Sequence, residues 1–386
     1  MRLNAVARDW DVVVAGAGVA GTVIAYRLAR HGVRVLLAEK AAWPRDKACG
    51  GCLNAATLRA LDQAGLGAVR HLGRPYSQLA LASGRRRATL PLPEGRAISR
   101  RQLDAWLVRQ AIQAGVAFLD STQVVLRPVD SQAGRRRILL RQGQTQRSIS
   151  ARLVIGGDGL GSRLLREEAP GELQVAEGSR IGVGTTFDEA PAFYTAGRIH
   201  MACAASGYVG LVRVESDRLN IGAALDPGWI KRCGGPAAAV QGVLRQTGFP
   251  CWNALGEADW HGTPQLTRRR TRLGSERVLI LGDAAGYVEP FTGEGMGWAV
   301  AGAAALEPLA LEGISAWRPA LVERWNARHA RVVRARQRGC HGVAAVLRRP
   351  RLLQATLPWL DAVPASVAPL TAWLDRDYPC HRREAQ

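Results

Sequence analysis

The hydrophobic residues nearest the N-terminus follow the pattern of a strand, a helix and a second strand. The apolar run 12–15 predicts a strand that is buried on both faces. Residues 22–31 keep apolar side chains on one helical face, and Gly32 predicts the end of that helix. The apolar run 33–38 predicts the second strand. This order indicates a βαβ unit with two parallel strands.

Two other patterns divide the rest of the chain. Apolar and polar residues alternate in 76–93 and in 181–225, which predicts antiparallel strands with one buried face. Helical spacing follows Ser99, a candidate cap, and predicts Leu103 and Ile112 on the buried face. The other predicted helices cover 53–66, 234–248, 298–311 and the tail from 319, and the other predicted strands cover 116–126, 138–141, 153–155 and 277–281.

The turn of the βαβ unit has the sequence Gly16-Ala17-Gly18-Val19-Ala20-Gly21. Gly16 suits a tight turn, Gly18 lets backbone N–H groups approach a pyrophosphate, and Gly21 lets the helix pack closely on the strand. The positive potential of the helix N-terminus adds to this anion site. Glu39, at the end of the second strand, suits a hydrogen bond to a ribose 2′-hydroxyl. The unit therefore predicts a dinucleotide site that either NAD or FAD would suit.

Two further strand ends also carry glycines and one carboxylate. Asp158 follows the run 153–155, and Asp283 follows the run 277–281. A single acid after a strand is often a turn former. Because the carboxyl ends of parallel strands meet at one edge of a sheet, we expect both acids to lie near Glu39. Three such segments in this order favour contacts with one nucleotide cofactor.

The chain resembles the FAD-dependent oxidoreductases that include aromatic hydroxylases, flavin-dependent halogenases and geranylgeranyl reductases. The resemblance covers roughly residues 11–311. It rests on Gly16-x-Gly18-x-x-Gly21, on Gly157-Asp158-Gly159 with Ser162-Arg163, and on Gly282-Asp283 with Pro290 and Gly293-x-Gly295. It implies FAD as the cofactor. Since no second glycine fingerprint follows, it also implies NAD(P)H as a transient reductant.

The resemblance implies roles for individual residues. Glu39 would bind the adenosine ribose, Arg100 of the Arg-x-x-Leu-Asp pattern would lie near the cofactor, and Asp283 would contact the ribityl chain or a phosphate. Residues 293–296 would lie beside the flavin ring. The predicted cofactor-binding residues are Gly16, Ala17, Gly18, Val19, Ala20, Gly21, Glu39, Lys40, Gly50, Gly51, Arg100, Val125, Asp158, Gly282, Asp283, Pro290, Gly293, Glu294, Gly295 and Met296.

The implied fold class is α/β. We expect a Rossmann-like FAD-binding domain of the glutathione-reductase type, an inserted antiparallel-sheet substrate domain and a helical C-terminal region. The predicted boundaries are 9–75, 98–175 and 271–318 for the FAD-binding domain, 76–97 and 176–270 for the substrate domain, and 319–386 for the C-terminal region.

Our first functional prediction is an FAD-dependent monooxygenase that uses NAD(P)H and oxygen to hydroxylate a small apolar, phenolic or polyketide-like molecule. The motif in 44–51, with Gly286 and 292–295, is more similar to the geranylgeranyl-reductase branch. This favours a reductase or desaturase of carbon–carbon double bonds, although the branch's aromatic motif is missing from 207–212. A non-catalytic flavin- or lipid-binding protein is the alternative from another class.

Few side chains are candidates for direct chemistry, because the cofactor would carry the redox step. Cys49 is the candidate catalytic residue, since its glycine-rich loop is expected to approach the flavin. His200 and Tyr208 in the alternating region are candidates for substrate contact. Glu294 would either orient a proton or cap the helix that follows it.

The charged residues and cysteines of the chain limit the kinds of binding partner that the sequence predicts. The formal net charge of +20 would suit nucleic acid, but the arginine triplets 85–87 and 135–137 follow glycines, as in solvated hairpin turns, and lack interleaved aromatic residues. We therefore predict no nucleic-acid binding and an apolar small-molecule substrate. Seven scattered cysteines predict no disulfide framework, and Cys49 with Cys52 lacks the further ligands of a metal site.

The sequence predicts no membrane span but leaves membrane contact through the tail open. Neither a signal peptide nor a long apolar span is recognisable, so we expect a cytoplasmic protein. The apolar run 352–370 in the tail suits either a cap on the core or a surface for peripheral membrane contact. The pattern leaves the oligomeric state open.

Overall fold

A computed structural model of the chain describes residues 3–129, 134–166, 168, 172–289, 291 and 293–379. The strands are β1 Asp9–Ala15, β2 Val35–Ala38, β3 Cys52–Leu53, β4 Arg74–Ser83, β5 Arg86–Ala97, β6 Ala117–Leu119, β7 Gln123–Leu126, β8 Arg136–Gln142, β9 Thr145–Gly156, β10 Leu173–Val175, β11 Ile181–Phe187, β12 Arg198–Ala204, β13 Gly207–Arg213, β14 Leu219–Leu225, β15 His261–Gln265, β16 Arg268–Arg270, β17 Gly274–Ser275, β18 Val278–Ile280 and β19 Gly286–Tyr287.

The helices are α1 Val19–Ala29, α2 Ala55–Gln63, α3 Arg100–Gln113, α4 Pro227–Cys233, α5 Pro236–Gln246, α6 Ala254–Glu257, α7 Gly295–Ser315, α8 Ala320–His329, α9 Ala335–Leu347, α10 Pro350–Ala362 and α11 Ala368–Leu374. A π-helical turn, Ala330–Arg334, joins α8 to α9. The mixture of helices and sheets is the α/β class that the sequence predicts.

The first sheet has the strand order β17-β18-β9-β1-β2-β6, and β8 and β7 extend it from β9. β1 pairs in parallel with both β2 and β9, and β18 also pairs in parallel with β9. Val12, Val13 and Val14 have no exposed surface, because helices cover the sheet. The strand ends that precede Glu39, Asp158 and Asp283 therefore meet at one edge, as the sequence predicts.

Helix boundaries differ from the predicted ones where local capping decides them. α1 begins at Val19, inside the glycine motif, rather than at residue 22. α2 begins after Asn54, whose side chain accepts a hydrogen bond from the Thr57 N–H, so the preceding Leu53 lies in β3 instead. Ile112 is 47% exposed, which contradicts its predicted burial. It lies two and a half helical turns after Leu103 and so faces the other way.

The second sheet has the order β15-β11-β14-β13-β12-β4-β5-β3. The two stretches with alternating pattern, 76–93 and 181–225, thus form one sheet, joined by the parallel pair β12 and β4. One face of this sheet packs on α5, through Val209 and Ile221 of the sheet and Val243 of the helix. The other face turns towards the first sheet and lines a cavity.

The C-terminal helices pack on both sheets. Trp325 of α8 is fully buried, and its Nε1 donates a hydrogen bond to the Ile280 carbonyl oxygen. α10 lies against β5, with Leu353 and Leu357 buried and Leu352 and Trp359 exposed. One side of α10 therefore caps the core, and another side leaves apolar residues exposed. No helix in the described ranges is long and apolar enough to cross a membrane.

Candidate cofactor and substrate site

The glycine turn after β1 brings backbone segments into contact. Gly16 has φ +99°, and a Cβ there would lie 2.5 Å from the Gly157 carbonyl oxygen. A Cβ on Gly21 would collide with the Gly16 carbonyl oxygen. A Cβ on Gly18 would meet only the guanidinium ends of Arg100 and Arg45, at 3.7 and 3.9 Å. Side chains are therefore excluded from the turn, which leaves space above Gly18.

That space has the properties of an anion site. Gly18 caps α1 without any side-chain hydrogen bond, so the first N–H groups of the helix point towards it. Arg100 is 8% exposed and holds Asp104 through two hydrogen bonds of 2.9 and 2.7 Å. Burial is the largest single effect and would lower the pKa of Arg100, but the groups around the guanidinium, Asp104 first among them, together outweigh burial and raise the pKa above its usual value. The guanidinium therefore stays charged.

The carboxylate of Glu39 lies next to the same turn. It is 5% exposed and accepts hydrogen bonds from the N–H groups of Ala17 and Ala41, each at 3.0 Å. Arg45 approaches it at 3.3 Å and also reaches Asp104 at 3.3 Å. Arg45 therefore connects the end of β2 to α3 through two ion pairs.

Asp158 and Asp283 complete the edge of the first sheet. Asp158 contacts Gly16, and its Oδ1 is buried without a hydrogen-bond partner in the described part of the chain. Burial raises the pKa of Asp158. Asp283 lies 3.9 Å from the Nζ of Lys47, whose pKa is lowered by burial and then by Arg100. Among the described residues, this edge of the sheet therefore carries a buried acceptor without a partner, which is unusual in a folded protein.

These features fit FAD. The turn offers N–H groups and two guanidinium ions for a pyrophosphate, and Glu39 lies where the ribose would be expected. Asp283, at the end of β18, is placed for a hydroxyl-bearing chain. We call the backbone of the glycine turn, residues 16–21, the cradle. Close backbone approaches at Gly16 and Gly21 keep the cradle free of side chains.

The loop of residues 48–51 connects this edge to the second sheet. A Cβ on Gly222 would lie 2.7 Å from the Gly50 nitrogen, and one on Gly184 would lie 3.1 Å from the Ala48 Cα. The Nδ2 of Asn220 donates a hydrogen bond of 2.9 Å to the Cys49 carbonyl oxygen. The loop is thus held backbone against backbone on the face of β11 and β14.

A cavity with a volume of about 310 Å³ extends from the glycine turn along the second sheet. Near the turn it is lined by Gly18, Arg100 and Asp283, and then by Cys49, Gly293 and Met296. Most residues of its far part are apolar, although Tyr76, Thr371 and Asp375 also line it. The apolar residues there are Leu79, Leu90, Leu92, Ile199, Met201, Leu211, Val212, Val367 and Leu370.

Three tyrosines and one cysteine that line this cavity hold their protons. Burial raises the pKa values of Tyr76, Tyr208, Tyr287 and Cys52. Cys49 lines the cavity too, and its Sγ accepts a long hydrogen bond of 3.5 Å from the Gly51 N–H. No histidine or glutamate is among the described lining residues. The described lining does contain the carboxylates of Asp283 and Asp375, so the cavity offers both proton donors and proton acceptors.

The structure brings most of the predicted site residues to this cavity or to the turn beside it. Those lining the cavity are Gly18, Val19, Ala20, Cys49, Gly50, Gly51, Arg100, Tyr208, Asp283, Gly293, Gly295 and Met296. Gly16, Ala17, Gly21, Glu39, Asp158 and Gly282 lie in or against the glycine turn. Pro290 lies outside the described residues.

Four predicted residues lie elsewhere. His200 is 2% exposed and packs among Phe193, Tyr194 and Phe249, because it points to the opposite face of β12 from Met201. Lys40 and Val125 are also absent from the cavity lining.

Glu294 is fully buried, but it makes no side-chain cap on α7. Its carboxylate instead accepts hydrogen bonds from the Nη2 of Arg336 at 2.7 Å and the Sγ of Cys340 at 3.0 Å. Arg336 in turn donates to the carbonyl oxygens of Trp373 and Leu374. Glu294 therefore connects the start of α7 to the C-terminal helices.

The sequence prediction left out several polar residues of the site, namely Arg45, Lys47, Asp104, Asn220 and Tyr287. Asp104 had a readable signal, because an Arg and an Asp four residues apart on a helix face each other. Lys47 and Asn220 pair across long sequence separations, with Asp283 and with the Cys49 carbonyl oxygen, and the chain gives no local signal for such contacts. No cluster that could hold a metal ion occurs within the described ranges.

Comparisons with known proteins agree with this geometry. The family described as FAD binding domain matches residues 9–222. Conditioned medium factor receptor 1 of Dictyostelium discoideum is 26% identical over 76% of this chain, which spans only 61% of that protein. Digeranylgeranylglycerophospholipid reductase 1 of Methanopyrus kandleri is 29% identical, with 80% of this chain and 83% of that protein covered.

Two further similarities extend over nearly the whole chain. Menaquinone reductase of Mycobacterium tuberculosis is 28% identical, with 90% of this chain and 86% of that protein covered. A mutant of PqsL from P. aeruginosa has a TM-score of 0.71 at 20% identity, with 90% of this chain and 99% of that chain covered. At that identity, the similarity to PqsL shows the fold alone.

Proposed function

We propose that this chain, which belongs to the FAD binding domain family and is an FAD-dependent oxidoreductase, reduces carbon–carbon double bonds in an elongated apolar molecule. The observation that carries this proposal is the continuous cavity between the glycine turn and the C-terminal helices. Its polar end suits the cofactor, and its apolar end suits a hydrocarbon chain.

The far wall of the cavity supports an apolar substrate. Leu79, Leu90 and Ile199 present only methyl and methylene groups, and Val367 and Leu370 continue this surface on the C-terminal side. Removing apolar surface from water contributes roughly 25 cal/mol per Å². A phosphate or sugar would lose its hydration there without gaining hydrogen bonds. An isoprenoid-like chain fits this wall.

Double-bond reduction needs a hydride at one carbon and a proton at the other. Bound FAD in its reduced form supplies the hydride, and NAD(P)H restores the reduced form. The chain's own part is to bind the substrate, exclude water and hold the proton. The hydroxyl of Tyr287 is suitably placed to hold this proton. It lies close to Gly295, since a Cβ on that glycine would be 3.0 Å from the hydroxyl oxygen. Gly295 belongs to the segment that we expect beside the flavin ring. Burial raises its pKa, so it remains protonated.

The full-length relatives support this proposal. The proteins from Methanopyrus kandleri and Mycobacterium tuberculosis are named as reductases of digeranylgeranylglycerophospholipid and of menaquinone. A third relative, from Rhodobacter capsulatus, is named geranylgeranyl diphosphate reductase and is 27% identical over 81% of this chain. Each name includes or implies a long apolar chain, which the cavity would accommodate.

Hydroxylation is the second candidate function. Tyr208 and Phe291 form an edge-to-face pair with centroids 5.2 Å apart at the cavity, which would suit a planar aromatic substrate. PqsL, which has the same fold, was solved in complex with 2-aminobenzoylacetate. Against this candidate, Asp375, the carboxylate on the C-terminal side of the lining, is paired with Arg59.

One experiment separates the two functions. FAD-loaded protein is reduced without oxygen and mixed with a polyprenyl alcohol such as geranylgeraniol. Oxidation of the flavin together with a product that has gained two hydrogens supports reduction. A product that appears only with oxygen and contains one added oxygen atom would support hydroxylation instead. The Tyr287→Phe variant should keep its FAD and lose most of the anaerobic turnover, whereas Tyr26→Phe, far from the cavity, should not.

A further inference from the structure

The C-terminal helices expose a surface that is unusually apolar for this protein. Among residues whose side chains the structure describes, nine large hydrophobic residues are exposed, and five of them lie between 346 and 370. They are Val346, Leu352, Trp359, Val363 and Leu370, each 42–55% exposed. We call these five residues the C-terminal apolar face. A clustered surface of this kind is typical of an interaction site rather than of chance exposure.

The C-terminal apolar face reaches the cavity at one residue, Leu370. Leu370 belongs to this face and also lines the cavity, so the cavity reaches the surface beside it. Behind the face, Leu353 and Leu357 pack in one cluster with Leu90 and Met201, both of which line the cavity. The same helices therefore form the outer apolar surface and the end wall of the substrate cavity.

Exposed arginines lie close to this face. Arg349 and Arg351 are exposed at the start of α10. The hairpin between β4 and β5 adds Arg85 and Arg86, because a Cβ on Gly84 would lie 3.0 Å from the Nε2 of Gln354. The hairpin and α10 thus contribute positive charge beside the same apolar surface. This combination suits a partner with an apolar interior and an anionic outer layer.

We propose that the C-terminal apolar face docks on an anionic phospholipid bilayer, so that the cavity opens towards the acyl chains beside Leu370. Trp359 is suited to the headgroup boundary, where tryptophan is enriched. Since no described helix would span the bilayer, the α10 region would lie in the plane of its surface. A second copy of the chain is a poorer partner, because a twofold contact would bring the arginines of both copies together.

The proposal rests on the proposed function only for the identity of the substrate. Docking itself requires no turnover, so the two can fail separately. If an apolar substrate resides in a bilayer, an opening that contacts the acyl chains spares it the passage through water. This explains why the apolar lining of the cavity continues onto an exposed surface.

Co-sedimentation of the full, FAD-loaded chain with vesicles tests the proposal. The protein should bind vesicles that contain phosphatidylglycerol more strongly than vesicles of pure phosphatidylcholine, and added salt should weaken this binding. The double variant Trp359→Ser/Val363→Ser should bind about tenfold less, since two apolar side chains no longer enter the bilayer. Each of Arg349→Gln and Arg351→Gln should reduce binding to the anionic vesicles by about fivefold.

The matched control is Ile112→Ser on α3, outside the C-terminal apolar face. Ile112 is 47% exposed, which is close to the exposure of Trp359 (55%) and Val363 (45%). It should leave vesicle binding unchanged. Retained FAD and an unchanged unfolding temperature would show that the Trp359→Ser/Val363→Ser variant is folded. Failure of the wild-type chain to bind vesicles, or equal losses from the control and the double variant, would overturn the proposal.

Two further measurements remove the remaining alternatives. A wild-type dimer that the Trp359→Ser/Val363→Ser change dissociates would mean that a second copy covers this face, and docking would be wrong. Reduction of a detergent-solubilised polyprenyl alcohol is measured separately. Vesicle binding without any such reduction counts against the proposed function alone, and reduction without vesicle binding counts against docking alone.

Discussion

The two large sheets approach the same cavity but contribute to it in different ways. The first sheet contributes backbone: its strand ends carry the glycine turn, where Gly16 and Gly21 allow no side chain. The second sheet contributes side chains such as Ile199 and Met201. The two kinds of surface meet where the 48–51 loop rests on Gly222. On the proposed function, backbone geometry would hold the cofactor, whereas the substrate would meet a surface of individual side chains.

This difference makes the two sheets respond differently to substitution. A backbone cradle has no alternative arrangement, so an added methyl group displaces the main chain itself. A wall of aliphatic side chains can repack, since swaps of similar volume usually cost less than about 1.5 kcal/mol. Substitutions in the first sheet should therefore affect FAD retention, and those on the cavity face of the second sheet should affect the choice of substrate.

The largest effect should come from Gly21→Ala. Its Cβ would collide with the carbonyl oxygen of Gly16, and no side-chain movement can relieve a contact with backbone. We expect a protein that is purified without FAD and is destabilised by more than about 3 kcal/mol. Flavin absorbance per chain and the unfolding midpoint measure the two effects. Gly262→Ala is the control, because a Cβ there would meet nothing within 4 Å. Normal FAD content in Gly21→Ala would contradict the backbone cradle.

The next largest effect should come from Gly222→Ala, which tests where the two surfaces meet. Its Cβ would lie 2.7 Å from the Gly50 nitrogen, so the 48–51 loop must move while the glycine turn stays in place. We expect FAD to be retained and the turnover number to fall about 100-fold, because small misplacements near the reacting atoms have effects of that size. Gly262→Ala, on β15 of the same sheet, again serves as the control. Loss of FAD from Gly222→Ala would show that the loop and the cradle are not separable.

A smaller effect concerns the face of the second sheet that turns away from the cavity. Burial, with a further contribution from Arg198, lowers the pKa of His200 to about 4. The unfolded chain, with a histidine pKa of about 6.5, therefore binds more protons than the folded chain between these values. Stability should fall as the pH drops from about 6.5 towards 4, by up to about 3 kcal/mol. Denaturant unfolding at several pH values would measure this slope.

The His200→Leu variant should remove the part of this acid-dependent loss that His200 causes, about half of the loss from the two buried histidines His200 and His329, while keeping its FAD. His71→Gln, at an exposed position, should leave the loss unchanged. Identical pH dependence in His200→Leu and the wild-type chain would show that other groups, such as the buried His329 with its pKa lowered to about 3, account for the slope.

The contrast between the sheets also explains how far the sequence could predict the structure. The glycine turn, Glu39 and Asp283 were predictable, because a local motif and a strand end determine where such residues lie. His200 and Tyr208 could not be distinguished from sequence alone. Both belong to alternating stretches, and the pattern does not say which face of the strand meets the cavity. The structure places Tyr208 at the cavity and His200 on the opposite side.

The polar partners of the cofactor cradle were predictable only where they are close in sequence. Arg100 and Asp104 lie one helical turn apart, so their ion pair could be read from the chain. Asn220 supports the 48–51 loop from a strand about 170 residues later, and no local pattern indicates such a contact. The tail was ambiguous for a similar reason: an apolar stretch at helical spacing does not reveal which of its residues face outwards.

The smallest effects are expected from two isoleucine-to-valine substitutions, one on each face of the second sheet. Each substitution shortens one side chain by one carbon, and the two together distinguish the roles of the two faces. Ile199 lines the cavity, whereas Ile221 has no exposed surface and packs with Val243 of α5. Ile199→Val should raise the KM for an apolar substrate about threefold to tenfold with little change in stability, because the lost contact is with the substrate. Ile221→Val should do the reverse, with a loss of about 1 kcal/mol in stability and an unchanged KM. If both variants lost stability equally and neither changed KM, the face carrying Ile199 would be part of the protein core rather than a substrate wall.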